Sequence, residues 1–203
     1  MIEALERAAG RPVSRETFEQ LQTYVSLLEE ENKRQNLISA STLDRVWERH
    51  VLDSAQLLRF EPFAGASWLD IGSGAGLPGV VIACIAEGRV TLAEPRRLRA
   101  EFLQRAIDAL GLNADVICAK AERIAGVFDA ITARAVAPLG ELLRISQHLS
   151  TGKTVWALPK GRSAHSELAQ AKHAWQGAFH VEQSVTDADS WIVVASGVRA
   201  KRR

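Results

Sequence analysis

Apolar residues in the first third of the chain recur at helical intervals. From Ser14, whose hydroxyl suits an N-cap, Phe18, Leu21, Val25 and Leu28 follow at three- and four-residue spacing, and Glu29 to Glu31 then make the surface acidic. An amphipathic helix is predicted there. A second is expected from Ser41 or Thr42, where Ser41 and Asp44 have capping-box-like spacing, with Leu43, Val46, Trp47, Val51, Leu57 and Leu58 along one stripe. Pro62 and Gly65 close it. From Ser67 the period changes. Short β-rich runs appear at SWLDI (67–71), RVTLAE (89–94), ADVICA (114–119), FDAITAR (128–134), TVWALP (154–159), FHVEQSV (179–185) and WIVVAS (191–196). Mostly helix-length segments separate the first five, so right-handed crossovers should place them in a parallel sheet. Only a turn-rich stretch, 186–190, separates the last two, which implies an antiparallel hairpin at the sheet edge. The expected class is α/β, with a helical N-terminal extension (1–64) packed on a core (65–203) as one structural domain.

Composition narrows this picture only a little. A chain of 203 residues that is 47% hydrophobic can hold one substantial core plus an extension. Its 25 basic and 24 acidic residues nearly cancel, so any nucleic-acid binding must come from local clusters. The start, MIEALERAAG, lacks a basic region followed by an apolar one, and the apolar run Val80 to Ala86 is too short to span a bilayer. A cytoplasmic protein with no membrane partner is expected. Cys84 and Cys118 lie in apolar surroundings without a C-x-x-C partner and read as reduced core residues, so neither a metal site nor a disulfide framework is expected.

Chemistry concentrates in WLDIGSGAGLPGVVIA (68–83), where an apolar run ends at Asp70, a turn containing Gly72, Gly74 and Gly76 follows, and Pro78 suits the first turn of a helix. Counted from Gly72, the dinucleotide pattern G-x-G-x-x-G would put its third glycine at Leu77. D-x-G-x-G-x-G fits from Asp70 onward, and this resembles motif I of the S-adenosylmethionine-dependent methyltransferases. The resemblance implies a Rossmann-like seven-stranded methyltransferase fold, mostly parallel with an antiparallel C-terminal hairpin, and S-adenosyl-L-methionine as cofactor. Ligands of open α/β sheets bind beyond the strands' carboxyl ends. Glu94, ending the second strand, is therefore placed to accept from both ribose hydroxyls, or else to pair with Arg96 or Arg97 at the surface. Ala121 and Glu122, after the third strand, fit the adenine edge, or else a helix start near Arg123.

Further segments occur in order: NLIS (36–39), ERHVLDS (48–54), DIGSGAGLPG (70–79), Glu94 followed by basic residues, Ala121-Glu122, ITARAVAPL (131–139) and PKG (159–161). Together they resemble the RsmG family, also called glucose-inhibited division protein B, bacterial methyltransferases of guanine N7 in 16S ribosomal RNA. The resemblance covers nearly the whole chain and implies cofactor contacts at Gly72, Leu77, Ala121, Glu122 and Arg134. In AEPRR, Pro95 stands where relatives more often carry Ser, a departure that bears on the ribose geometry.

The resemblance also marks Arg134, His50 and Asp53 as candidate catalytic residues, although spacing alone reads His50 as a core histidine and Arg49 with Asp53 as an i, i+4 pair. Guanine N7 carries an available lone pair, so methyl transfer needs alignment but no general base. Asp53 could stabilise the positive charge gained by the product base. Carbon-5 methylation would need a nucleophilic cysteine, and neither Cys84 nor Cys118 is placed as an exposed thiolate. RNA contacts are expected from Arg96, Arg97 and Arg99, from Lys160 and Arg162, and from the tail residues Arg199, Lys201, Arg202 and Arg203. The expected partner is 16S ribosomal RNA or the small ribosomal subunit, and the expected state is a monomer. Two alternatives stay open: a methyltransferase acting on a small molecule or protein, and a noncatalytic RNA-binding assembly factor that retains a cofactor pocket.

Overall fold

The computed structural model describes residues 1–201; Arg202 and Arg203 lie outside the described residues. Two helices open the chain, α1 (Ile2–Ala9) and α2 (Arg15–Gln35). The Ser14 hydroxyl accepts from Thr17 N at 3.1 Å, capping α2 as the spacing predicts. The second predicted helix is not continuous. It is divided into α3 (Ala40–Leu43), a π-helical turn (Trp47–Leu52), α4 (Asp53–Ala55) and a 3₁₀ turn (Gln56–Phe60). Ser41 lies inside α3, whose N-cap is Ser39, so the expected capping box does not form.

Seven strands make one sheet: β1 (Trp68–Ile71), β2 (Val90–Ala93), β3 (Ala114–Ile117), β4 (Ala130–Ala133), β5 (Val155–Pro159), β6 (Trp175–Gln183) and β7 (Trp191–Ala200). Between them lie α5 (Gly79–Ile85), α6 (Arg97–Leu110), α7 (Leu139–Ser146) and α8 (Ala164–Ala174). The spatial order is β3-β2-β1-β4-β5-β7-β6, with β1 to β5 parallel and β7 antiparallel to both β5 and β6. The hairpin strands run longer than their apolar segments suggest. β6 begins at Trp175 and passes an irregularity between Gln176 and Ala178.

Strand alternation divides the core. Trp68, Leu92, Ala130 and Ala157 face one side, where Leu5, Leu21, Tyr24, Leu28, Val51, Leu57 and Leu58 of the N-terminal segment and Val80 of α5 pack on them. Leu69, Ile71, Ile131, Trp156 and Leu158 face the other side, against Leu139, Leu142 and Leu143 of α7 and Leu168 of α8. The N-terminal segment therefore packs on one sheet face as part of the same core, and this placement brings it to the rim where β1, β2 and β4 end. No helix among the described residues is long and apolar enough to cross a membrane.

Candidate active site

The glycine turn is held from three directions. Gly72 N and Ser73 N both donate to Ala93 O at the end of β2, at 2.8 and 3.0 Å, which anchors the start of the turn to the neighbouring strand. Glu94, buried at 3% exposure, accepts from Gly74 N through Oε2 at 2.9 Å and from Arg96 N through Oε1 at 2.8 Å. From the N-terminal side, the buried Tyr24 hydroxyl donates to Ala75 O at 2.8 Å. Below the turn, Asp70 Oδ2 accepts from Gly79 N at 3.0 Å, while Oδ1 is buried with no hydrogen-bond partner. Burial pushes the Asp70 carboxyl up to about 7.

The glycines do different jobs. Gly76 has φ +93°, and a Cβ there would lie 2.7 Å from Val80 Cγ2 and 3.0 Å from Tyr24 Oη, so both the backbone conformation and the packing of helix on turn call for glycine. Gly74 has φ +55°, and a built Cβ would make only ordinary contacts, with Arg99 Nη1 at 3.6 Å, Gly72 O at 3.7 Å and Glu94 Oε2 at 4.0 Å, so here the left-handed backbone rather than a clash calls for glycine. Leu77, an expected cofactor contact, has its side chain in the core. Ala121 is buried and Glu122 exposed in the 3₁₀ turn after β3, on the same rim. Cys118, expected in the core, is exposed because β3 ends at Ile117, whereas Cys84 is buried and its thiol is pushed up to about 12.

Arg134, just beyond β4, meets both of its expected companions. Its Nη1 lies 3.3 Å from His50 Nδ1 and 3.6 Å from Asp53 Oδ2. Arginine has no acceptor, so His50 Nδ1 must accept and Nε2 carries the proton that it gives to Thr42 Oγ1 at 2.9 Å. Burial, with Arg134 and Arg49 nearby, lowers the His50 pKa to about 4. His50 is thus a half-buried site residue, not the core histidine that helical spacing suggests. The expected Arg49–Asp53 pair is also absent: Arg49 pairs with Asp187 at 2.7 Å, and Asp53 Oδ1 accepts from Gln56 Nε2 and Thr186 Oγ1, both at 2.8 Å. A π-helical turn closes i→i+5 bonds, which shifts residues off the i, i+4 line. Tyr24, Thr42, Gln56 and Thr186 escaped the sequence reading because their roles exist only across long-range contacts. Gln56 alone carried a signal, a polar residue beside Leu57 and Leu58 in an apolar stripe.

A cavity of about 450 Å³ opens between Asp53, Arg134 to Pro138 and the turn from Pro159 to Ser163. Lys160 lies in its wall, but its side chain is only 8% exposed and pairs with Glu167 at 3.0 Å. Arg162 is exposed and pairs with Asp189 at 3.0 Å. Arg96 and Arg97 are exposed beside the glycine turn, Arg97 paired with Glu101 at 2.8 Å. The tail departs from expectation. β7 runs opposite to β5, so Arg199 and Lys201 lie past the Val155 end of β5, on the rim away from the site. Among the described residues no cluster could hold a metal ion.

These groups suit a nucleoside carrying an amino-acid chain. The Glu94 oxygens, each already taking one amide, retain lone pairs for further donors. The frame Gly74-x-Gly76-x-x-Gly79 also spells a dinucleotide pattern, but topology decides against that class. In a dinucleotide fold the strand beyond β5 is parallel; here β7 enters antiparallel between β5 and β6. The fold is that of the S-adenosylmethionine-dependent methyltransferases, and a solved structure of one from Aquifex aeolicus matches with a TM-score of 0.63 at 16% identity, covering 82% of this chain and 97% of that one. The model of the GidB family, rRNA small subunit methyltransferase G, matches residues 17–191, and the chain belongs to that family. Proteins named ribosomal RNA small subunit methyltransferase G are 44% identical in Zymomonas mobilis (94% of this chain, 90% of the relative) and 50% identical in Novosphingobium aromaticivorans (88% and 80%).

Proposed function

We propose that the protein transfers a methyl group from S-adenosyl-L-methionine to N7 of a guanine in 16S ribosomal RNA of the small subunit. Family membership supports the substrate class, and the state of His50 supports the position. With Nδ1 accepting from Arg134 and Nε2–H donating to Thr42, the histidine at the site offers no free base. N7 needs none. The cofactor, when bound, supplies an electrophilic sulfonium methyl. The chain's own residues hold and orient: the Glu94-braced turn and Glu122 would bind the donor, and Arg134 and Asp53 would border the acceptor base in the adjacent cavity. Asp53, with Oδ2 toward Arg134, would balance the charge gained by the product guanine. Arg96, Arg97 and Arg162 are exposed cations on this rim suited to phosphates.

The test uses small-subunit RNA carrying 7-deazaguanine at the modified position. Binding should persist while methylation stops, and with ordinary RNA the single-turnover rate should stay nearly flat from above the range near pH 7, where the buried Asp70 carboxyl titrates, up to about pH 9. Methyl transfer to the 7-deaza RNA would move the reaction off N7.

A further inference from the structure

The cavity wall contains an ion pair that phosphate binding does not explain. Lys160 Nζ donates to Ala137 O at 2.6 Å and pairs with Glu167 Oε2 at 3.0 Å. The same Oε2 accepts from Leu139 N at 2.7 Å, and Oε1 accepts from Ser163 Oγ at 2.6 Å. Leu139 opens α7, so its N–H is one of the helix's orphan donors, and Pro138 before it has no N–H to give. Two charged side chains thus grip the loop on both sides of Pro138. Burial by itself would raise the Glu167 carboxyl, yet the bonds from Ser163, Lys160 and Leu139 outweigh it and hold the group below the usual carboxylate range.

The gripped loop needs holding. Ala135 has φ +56°, a left-handed conformation costly for a residue with a Cβ, and such a conformation persists only where its surroundings impose it. Ala135 separates Arg134 from Val136, and Val136 lies over the turn so closely that a Cβ on Gly72 would come within 2.6 Å of it. The geometry points to Lys160 and Glu167 as positioning residues: they fix the strained 135–138 loop, and through it set the place of Arg134 between the cofactor turn and the acceptor cavity. The inference rests on the methyl-transfer reading above for its effect on rate, but not for its effect on the loop.

Lys160→Met, Glu167→Gln and the double variant test it, with kcat, KM for small-subunit RNA, the salt dependence of RNA binding, and hydrogen exchange of the 135–139 backbone without RNA. Each single variant should lower kcat by about 10- to 100-fold, the scale of a small misplacement, with KM and salt slope unchanged. The double variant should be no worse than either single one, and Leu139 should lose protection in all three. If Lys160 is instead a phosphate contact, Lys160→Met raises KM and lowers the salt slope by about one, while Glu167→Gln frees the lysine and tightens RNA binding. That pattern, or retained protection at Leu139 in both single variants, overturns the inference. Should Lys160→Met fail to fold, Glu167→Gln decides alone, because its amide has the size of the carboxylate but lacks the charge and the second acceptor oxygen that hold Lys160, Ser163 and Leu139 together. A wild-type protein that transfers no methyl group to RNA would remove the functional reading, and exchange at Leu139 would still judge the lock.

Discussion

Replacing Glu94 by Gln should cost the protein most of its cofactor affinity while leaving the sheet intact. The carboxylate is buried and accepts two backbone amides, Gly74 N at 2.9 Å and Arg96 N at 2.8 Å. A Gln keeps one carbonyl oxygen for one amide and turns an NH₂ toward the other. The variant therefore loses one charge-assisted bond, worth roughly 1.5–3 kcal/mol, and strands one N–H, worth roughly 1–3 kcal/mol. Rearrangement of the turn recovers part of this, leaving about 3 kcal/mol. These bonds are made without cofactor, so their loss first loosens the turn. Where binding must re-form it, at about 1.4 kcal/mol per factor of ten, the affinity for S-adenosylmethionine should fall about a hundredfold, read by calorimetry on protein whose circular dichroism is unchanged. Glu101→Gln, which breaks only the exposed pair with Arg97, is the control and should bind as wild type. An S-adenosylmethionine analogue lacking the ribose hydroxyls separates two roles. If Glu94 acts by bracing the turn, the variant weakens binding of the analogue as well; if it acts only on the ribose, the variant and wild type bind the analogue equally. Unchanged affinity for the natural cofactor would refute both.

Gly76→Ala should destabilise the fold by about 1–3 kcal/mol in denaturant titrations, because its Cβ meets Val80 and Tyr24. Gly74→Ala, with no atom within 3.5 Å, should cost about 1–2 kcal/mol from its left-handed backbone and show itself chiefly in cofactor affinity; the opposite ranking would contradict the division of labour within the turn. His50 is held neutral down to about pH 4, whereas an unfolded histidine takes a proton near 6.5, so its contribution to stability is complete above about pH 6.5 and is lost as pH falls toward 4. His50→Gln should remove that part of the pH dependence, and an identical pH profile would show that the ring is not so constrained. A thiol reagent should label Cys118 in the native protein and Cys84 only after unfolding, as exposure of the first and burial of the second require; native labelling of Cys84 would mean that α5 opens.

What could be read from the sequence was local. Short β-rich runs located all seven strands, because β-branched and apolar residues cluster where a strand is buried, and the glycine turn was visible because positive φ demands a particular residue type. Helix α2 was legible for the same reason, down to its Ser14 cap. The segment from Ala40 to Phe60 was not. Its apolar stripe is real, with Val46, Val51, Leu57 and Leu58 buried, but periodicity could not reveal the π-helical turn that sends Arg49 to Asp187 and Asp53 to Arg134. The same limit applies to the basic residues. Lys160 and Arg162 are two positions apart in sequence, yet one is enclosed by Ala137 and Glu167 and the other is exposed, a difference set by where α8 packs.

The two halves of the site draw on different parts of the chain, and this follows from strand alternation. Most bonds that shape the cofactor turn come from the sheet's own strand ends, at Asp70, Ala93 and Glu94; the N-terminal segment adds only Tyr24. Arg134 is different. Residues 130, 132 and 134 alternate onto the sheet face that the N-terminal segment covers, so the arginine's partners, His50 and Asp53, must come from that segment. Gln56 then ties the segment to the hairpin turn, donating to Ser184 Oγ at 3.1 Å and accepting from Val185 N at 2.9 Å. The proposed acceptor side therefore combines the ends of β4 and β5 with elements appended before and after the parallel strands. Changing the appended elements would alter the partners of Arg134 while leaving the Glu94 bond that holds Gly74.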